Sequence, residues 1–295
     1  MINDDPAWPR ASVLFVDPAR ARPGDAGLLG AHTWRTSVTP RSETSTPRAV
    51  RDAWRFYSTW DYHESRDLAD DIRVADYGDV GEPDEDGSDW TALSNPHPFW
   101  LLYGGDNALT WRALRELAGE HLADWALVTL DAHHDLRDGR SNGSPVRQLL
   151  EAGLPGENVV QVGLADFSNS AFYARRAHEA GMSVVPRHVI TERGIERVLS
   201  EALERVATRA RWIYVDVDVD VVDRALVPGC PAAAPGGLTV DELRRGVRLL
   251  AAHPSVAAMD FTEVDVERDA PDARTVRAVA LFTLEALAGF RRRNS

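Results

Sequence analysis

The chain has 295 residues, of which 44% are hydrophobic and 27% charged, a composition typical of a globular protein with a substantial core. With 33 arginines and no lysine against 46 aspartates and glutamates it is acidic, which argues against binding to nucleic acid or to an anionic membrane surface. The N-terminus MINDDPAWPR lacks the parts of a signal peptide, and no window approaches the ~18 apolar residues of a membrane span. The single cysteine, Cys230, excludes an internal disulfide framework and suits a reducing compartment, so we expect a cytoplasmic protein. The sequence leaves open whether the protein forms a homo-oligomer.

The first ninety residues contain few regular signals. The stretch SVLFV (12–16) predicts a strand, and TPRAVRDAWRFYSTW (46–60) predicts a helix. An acidic segment with glycines, from Gly78 to Gly87, predicts a loop.

From Trp100 onward, short apolar runs alternate with segments of helical period, the pattern of a parallel sheet covered by helices. Helix boundaries are indicated by Ser144 before Pro145, by Gly153 and Gly181, and by a capping box that starts at Thr239. The predicted strands are FWLLY (99–103), WALVTL (125–130), NVVQVGL (158–164), MSVVP (182–186), RWIYVDV (211–217) and SVAAMDF (255–261). The whole chain, residues 1–295, is therefore predicted to be one α/β domain.

Acidic residues follow four of the predicted strands. Asp106 follows FWLLYGG, Asp131 follows WALVTL, Asp218 and Asp220 follow RWIYV, and Glu263 follows AAMDFT. Because function in such sheets lies at the carboxyl ends of the strands, we expect these groups to meet at one edge of the sheet.

Two segments place ionisable groups at every second position. In YVDVDVDVVD the aspartates at 216, 218 and 220 would share one face of a strand, and in DAHHD the same spacing joins residues 131, 133 and 135. Like charges on one face repel, so a polyvalent cation explains the pattern better than a solvated edge strand. His134 would face the opposite way, which favours a packing role.

Carboxylates with one imidazole and no thiolate favour Mn²⁺ or a similar ion. The candidate ligands named below are numerous enough to hold two ions if some carboxylates bridge them. Two metal ions would lower the pKa of a shared water, which could then attack a polarised carbon. Hydrolysis is therefore the predicted class of reaction. The candidate ligands are Asp131, His133, Asp135, Asp218 and Asp220.

Four ordered motifs resemble those of the ureohydrolase superfamily of arginases and agmatinases. They are GGDN (104–107), DAHHD (131–135), DVDVDVVD (216–223) and DFTEVD (260–265). The resemblance implies a three-layer α/β/α sandwich with a mainly parallel central sheet, and a binuclear manganese centre at the carboxyl edge of that sheet.

The loops of the chain resemble most the formimidoylglutamase branch of this superfamily. Arginases place a histidine in the loop after DAHxD, and SNGSPVRQ (141–148) has none. The resemblance implies hydrolysis of N-formimidoyl-L-glutamate to L-glutamate and formamide by a metal-bound hydroxide, a step of histidine degradation. A ureohydrolase acting on a guanidino compound and a non-catalytic relative with a weakened metal site stay open as alternatives.

The resemblance also implies residue roles at the metal centre. Asp131 and Asp218 would bridge the two ions, His133 and Asp220 would complete one, and Asp135 would complete the other and act in catalysis. The family's histidine in GGDH is replaced by Asn107, whose neutral amide oxygen is a poorer ligand. Asn107 is therefore either a weak metal ligand or the N-cap of the helix that follows.

Three further residues are predicted to contact the substrate. The carboxylate of Glu263 would pair with a planar N–C–N cation, unless it is a paired acid at the strand end. Arg147 would bind a substrate carboxylate, although a solvent-facing arginine in the first turn of a helix is an equal interpretation. Asn142 would assist it or serve only as a turn residue of SNG.

Overall fold

A computed structural model describes residues 5–41, 43, 45–81 and 88–294 of the chain. The acidic segment predicted as a loop lies partly outside this range, at residues 82–87. The strands of the described part are β1 (Phe15–Val16), β2 (Ala26–Ala31), β3 (Trp60–Asp61), β4 (Arg66–Asp67), β5 (Val74–Val80), β6 (Trp100–Gly104), β7 (Trp125–Leu130), β8 (Val159–Leu164), β9 (Ser183–Pro186), β10 (Trp212–Asp218) and β11 (Val256–Thr262).

Helices connect most of these strands. None of the helices in the described ranges is both long and apolar enough to cross a membrane. The α-helices are α1 (Thr46–Ala53), α2 (Ala108–Ala118), α3 (Pro145–Glu151), α4 (Ala171–Glu179), α5 (Arg187–Arg193), α6 (Ile195–Ala207), α7 (Val240–Ala251) and α8 (Arg274–Arg291).

Nine strands form one sheet in the order β1-β5-β2-β6-β11-β10-β7-β8-β9. All neighbouring pairs in this sheet are parallel. The strands β3 and β4 form a separate antiparallel pair. The predicted, mainly parallel sheet is confirmed.

Both faces of the sheet are covered by helices. On one face Leu101 packs in a cluster that includes residues of α1, α5, α6, α7 and α8, and on the other face Leu102 packs with residues of α2, α3 and α4. Successive residues of a strand point to opposite faces, so a strand buried on both faces is apolar throughout. The three-layer α/β/α sandwich is confirmed.

Local signals located several boundaries in the second part of the chain. The strand β7 has the predicted bounds, Ser144 is the N-cap of α3 with Pro145 in its first turn, and Thr239 and Glu242 form the reciprocal capping box of α7. Gly153 and Gly181 have positive φ angles of 109° and 79° after α3 and α4. Glycine adopts this conformation without the cost that a Cβ imposes.

The sequence predictions were less accurate in the first ninety residues. The strands β2 and β5 were missed, and the predicted loop begins with residues that belong to β5. Most of SVLFV is a 3₁₀ helix, with only Phe15 and Val16 in a strand. The predicted helix 46–60 ends at Ala53 and continues as a short 3₁₀ turn. Short strands rich in glycine and alanine, such as AGLLGA, lack the β-branched residues that signal a strand.

Candidate active site

The four acidic strand ends lie together at the centre of the sheet. Strands β6, β11, β10 and β7 are consecutive neighbours, and they are parallel. Asp106 and Glu263 follow β6 and β11, whereas Asp218 ends β10 and Asp131 follows β7. All four residues are at most 3% exposed. The expected meeting of these groups at one edge is confirmed.

Two overlapping groups of side chains could each hold a metal ion. One consists of Asp131, His133 and Asp220, and the other of Asp131, Asp135 and Asp218. Within each group, one potential ligand atom from each residue lies within 4.8 Å of the others. Asp131 belongs to both groups, so it is positioned between the two candidate ion positions.

Asp220 reaches this site from a turn and not from a strand. The strand β10 ends at Asp218, and residues 219–221 form a 3₁₀ helix. Asp220 donates its backbone N–H to Asp218 Oδ1 at 2.8 Å and accepts from the Ala132 N–H at 3.0 Å. The prediction that three aspartates share one face of a strand therefore holds for Asp216 and Asp218 only. Asp220 reaches the site through the 3₁₀ helix that follows the strand.

Burial determines the protonation of this cluster. Burial, reinforced by the charge of Asp220, raises the pKa of Asp131 to about 7. Burial alone would lower the pKa of His133, but the carboxylates of Asp220 and Asp131 raise it to about 12. His133 Nδ1 lies 2.7 Å from Asp220 Oδ2, within hydrogen-bond distance of that carboxylate.

Asp135 and Asp218 are buried beside other carboxylates. Burial, together with neighbouring carboxylates, raises the pKa of Asp135 and of Asp218 well above the ordinary range. In the described residues, the buried atoms Asp131 Oδ2 and Asp216 Oδ1 have no hydrogen-bond partner. Buried polar atoms are rarely left unpaired. Carboxylate and imidazole ligands around these unpaired atoms fit ions such as Mn²⁺.

Asn107 occupies the N-cap position of α2, but its side chain does not cap the helix. Its Nδ2 donates to Asp135 Oδ2 at 2.7 Å, and its Oδ1 accepts from the hydroxyls of Thr110 (2.6 Å) and Thr262 (3.1 Å). In this orientation the amide nitrogen faces the carboxylates, so metal ligation requires the amide to rotate by 180°. The interpretation of Asn107 as a side-chain cap does not fit this geometry.

Glu263 is held by three partners. Its Oε1 accepts from the Asn107 N–H at 3.0 Å and from Asn142 Nδ2 at 2.8 Å, and its Oε2 is paired with Arg41. Glu263 and Asp135 both have left-handed backbone conformations, with φ of 63° and 52°. Such conformations are unfavourable for residues with a Cβ and concentrate at functional sites.

Arg41, the buried partner of Glu263, carries no signal in the sequence. Its side chain is 2% exposed, and besides Glu263 it donates to the Gly105 carbonyl at 2.7 Å. A Cβ on Gly105 would lie 2.2 Å from the Thr33 carbonyl oxygen, so this close approach requires glycine. Arg41 lies in an irregular segment of serines, threonines and prolines, and nothing in that composition signals a buried ion pair.

The structure corrects the assignment of Arg147. Its Nε donates to the Arg137 carbonyl at 2.6 Å, and the rest of its guanidinium contacts Glu151 and the Gly139 carbonyl. Arg147 does not line the cavity above the carboxylates, so the predicted contact with a substrate carboxylate does not fit this geometry. The donors of Arg147 are used to hold the preceding loop.

A cavity of about 370 Å³ opens above the candidate metal site. Asp135, Asp218, Asp220 and Glu263 form its acidic part, and its wall includes Arg137, Asn142, His134 and the exposed Phe167. His134 is 5% exposed, and its Nδ1 is hydrogen-bonded to Gln161 Oε1 at 2.7 Å, in line with a packing role.

A model of the arginase family matches residues 25–289. The formimidoylglutamase of Halalkalibacterium halodurans is 34% identical over 311 aligned residues, which cover 96% of this chain and 97% of that protein. The crystal structure of formimidoylglutamase from Bacillus subtilis matches with a TM-score of 0.88 and 29% identity, over 99% of this chain and 94% of that chain. The structure of Trypanosoma cruzi formiminoglutamase with two Mn²⁺ matches in fold, with a TM-score of 0.81 and 21% identity, over 97% and 99% of the two chains.

Proposed function

Because the chain belongs to the arginase family, we propose that it hydrolyses N-formimidoyl-L-glutamate to L-glutamate and formamide. The observation that supports hydrolysis is the pair of ligand groups that share Asp131 at one end of a cavity. The observation that supports this substrate is the similarity to formimidoylglutamases over nearly the whole chain.

The proposed cofactor is Mn²⁺, two ions per chain. One ion would be held by Asp131, His133 and Asp220, and the other by Asp131, Asp135 and Asp218. Asp218 would also serve as a second bridge, and Asn107 would be a weak ligand. When bound, the ions would lower the pKa of a water and polarise the amidine carbon.

The proposed mechanism assigns proton transfer to Asp135 and substrate orientation to Glu263. Asp135 lines the cavity, so it can accept a hydrogen bond from the attacking water and take its proton. As the water oxygen adds to the formimidoyl carbon, Glu263 pairs with the N–C–N cation. Asp135 then returns the proton to the glutamate nitrogen and the bond between this nitrogen and the carbon breaks. The hydroxyl proton of the intermediate passes to the departing amine, which leaves glutamate and neutral formamide.

Glu263 shares its carboxylate with Arg41. The Oε1 atom, which accepts from Asn107 and Asn142, keeps Glu263 oriented in the cavity wall. Substrate binding would therefore use the remaining acceptor capacity of Glu263, or would displace Arg41.

The test is an assay of formamide and urea release from a panel of amidines and guanidines, with added Mn²⁺. Formamide release from N-formimidoyl-L-glutamate, at a higher kcat/KM than any guanidine gives, supports the proposal. Urea release from a guanidino compound would support the alternative ureohydrolase. Absence of turnover on the whole panel would support a non-catalytic relative.

We further propose that the enzyme is a single domain and that it is located in the cytoplasm. One nine-stranded sheet contains both β1 and β11 and so joins distant parts of the chain, which supports a single domain. Cys230 is buried and free, which suits a reducing compartment.

A further inference from the structure

Charge is unevenly distributed around the cavity. Its buried part contains the carboxylates of Asp135, Asp218, Asp220 and Glu263. Of the arginines and lysines in the described ranges, Arg137 is the one that lines this cavity, and it is exposed. A ligand that spans the cavity would thus meet acidic groups at the buried end and a guanidinium at the open end.

The guanidinium of Arg137 has no hydrogen-bond or ion-pair partner in the described part of the chain, which distinguishes it from Arg147. Arginine forms bidentate pairs with carboxylates, and a guanidinium without a protein partner has all its donors available for a ligand.

Neighbouring groups fix the position of Arg137. Its N–H donates to the Gly143 carbonyl at 2.9 Å, and its own carbonyl accepts from Arg147 Nε at 2.6 Å. A Cβ on Gly143 would lie 2.7 Å from Arg137 Cδ, so the side chain of Arg137 lies directly against this glycine. The stem of Arg137 is thus packed, while its charged end is free.

We propose that Arg137 binds the substrate carboxylate farther from the amidine, and that the cavity selects formimidoyl compounds with an anionic far end. This inference rests on the proposed function, and it names the residue that determines substrate specificity. The positive far end of agmatine-like substrates would meet Arg137 and be repelled. Arg147 is a positioning residue, because it holds the carbonyls of Arg137 and Gly139.

The first test compares wild type with Arg137→Gln on two substrates. For N-formimidoyl-L-glutamate the variant should raise KM about 10- to 100-fold with kcat within twofold, as expected for loss of a charge-assisted hydrogen bond. For N-formimidoylpropylamine, which lacks carboxylates, the two enzymes should have equal kinetic constants. Equal KM for N-formimidoyl-L-glutamate, or equal losses on both substrates, would overturn the proposal.

Two comparisons sharpen this test. Arg175→Gln removes the same charge from an exposed position of α4 outside the cavity, and it should leave KM unchanged. N-formimidoyl-4-aminobutyrate keeps only the far carboxylate and should retain the dependence on Arg137. N-formimidoyl-2-aminobutyrate keeps only the near carboxylate and should lose that dependence; the opposite ranking would overturn the assignment to the far carboxylate.

A binding measurement separates this inference from the proposed function. Titration calorimetry of the Mn²⁺-loaded protein with L-glutamate should give a dissociation constant at least 10-fold weaker for Arg137→Gln than for wild type. If wild type binds glutamate in this way but hydrolyses no formimidoyl compound, the proposed function fails and the carboxylate site stands. If Arg137→Gln binds glutamate as wild type does, or wild type does not bind it, the carboxylate site fails.

Discussion

Buried carboxylates define the candidate metal site. Asp131 is fully buried, belongs to both ligand groups, and has one carboxylate oxygen without a partner in the described residues. Such a group is unfavourable unless a cation binds it. The buried carboxylate of Asp131 therefore lowers the stability of the folded protein unless a cation binds to it, which favours a role in metal binding.

Replacing Asp131 or Asp218 by alanine should abolish turnover and reduce stability less than activity. Each carboxylate would bind both metal ions, so its loss should prevent catalysis. Its removal also relieves repulsion between like charges in the protein without metal, so stability should fall less than activity. Turnover and melting temperature, with and without Mn²⁺, check this. Asp124→Ala, an exposed aspartate just before β7, is the control. Retained turnover in either site variant would contradict the bridging assignment.

Asn107→His should lower the Mn²⁺ concentration required for half-maximal activity and leave the ranking of substrates unchanged. Imidazole offers a better donor than an amide oxygen, and position 107 contacts Asp135 and not the cavity rim. Activity measured against metal concentration for both proteins is the check. An unchanged metal dependence would mean that Asn107 only orients its neighbours.

The buried pair of Arg41 and Glu263 should show strong coupling in a double-mutant cycle. Their side chains are 2% and 3% exposed, so Arg41→Met or Glu263→Gln alone should lower the free energy of unfolding by about 3 kcal/mol or more. The double variant should lose less than the sum of the two. Urea unfolding of the four proteins measures this coupling, and additive losses would show that the ion pair is not formed.

At the scale of elements, loops position the ends of the site. The loop before α3 carries Arg137 and Asn142, and the loop after β2 carries Arg41. The two loops contact each other where the Val38 N–H donates to Asn142 Oδ1 at 2.8 Å. The candidate metal ligands thus lie at the ends of β7 and β10 or in the turns that directly follow these strands, whereas Arg137, Asn142 and Arg41 lie in longer loops.

Arg147→Gln should loosen the loop before α3 without removing a substrate contact. The variant loses the bonds to the Arg137 and Gly139 carbonyls, so the Arg137 amide should exchange its hydrogen faster. KM should rise less than in Arg137→Gln. Hydrogen exchange and steady-state kinetics on both variants test this, and unchanged exchange with a larger rise in KM would restore Arg147 as the substrate contact.

At the scale of the whole molecule, buried acids make stability depend on pH and on metal. Burial raises the pKa values of Asp131, Asp106 and Asp260 to about 7, 6 and 6, against 3.8 for a free aspartate. The folded state therefore keeps these protons longer than the unfolded state. Their contribution to stability is present below pH 4 and is lost as the pH rises through 6 to 7.

We expect the metal-free protein to unfold at lower urea concentration at pH 8 than at pH 6, and Mn²⁺ to stabilise it more at pH 8. The ions replace protons on the same carboxylates, so they bind better where those protons have been lost. Urea unfolding at both pH values, and elemental analysis showing up to two manganese ions per chain, check this. Metal content near zero at millimolar Mn²⁺ would contradict the proposed centre.

The strands from β6 to β11, and the acids that follow them, could be located from the sequence alone. Strands of a parallel sheet are buried on both faces, so WALVTL and RWIYV are continuous apolar runs that can be located without a structure. Each is followed directly by its carboxylates. Parallel strands end at one edge, so the sequence predicted a shared edge for Asp131, Asp218 and Glu263, and the strand order made these residues neighbours.

The tertiary structure decided which groups pair at the cavity. Arg41 and Glu263 are 222 residues apart, and their contact depends on the path of an irregular loop that carries no periodic signal. Arg137 and Arg147 lie within ten residues of each other, yet one guanidinium faces the cavity and the other holds carbonyls of its own loop. Side-chain direction in a loop depends on contacts with distant segments, and short-range sequence patterns do not encode those contacts.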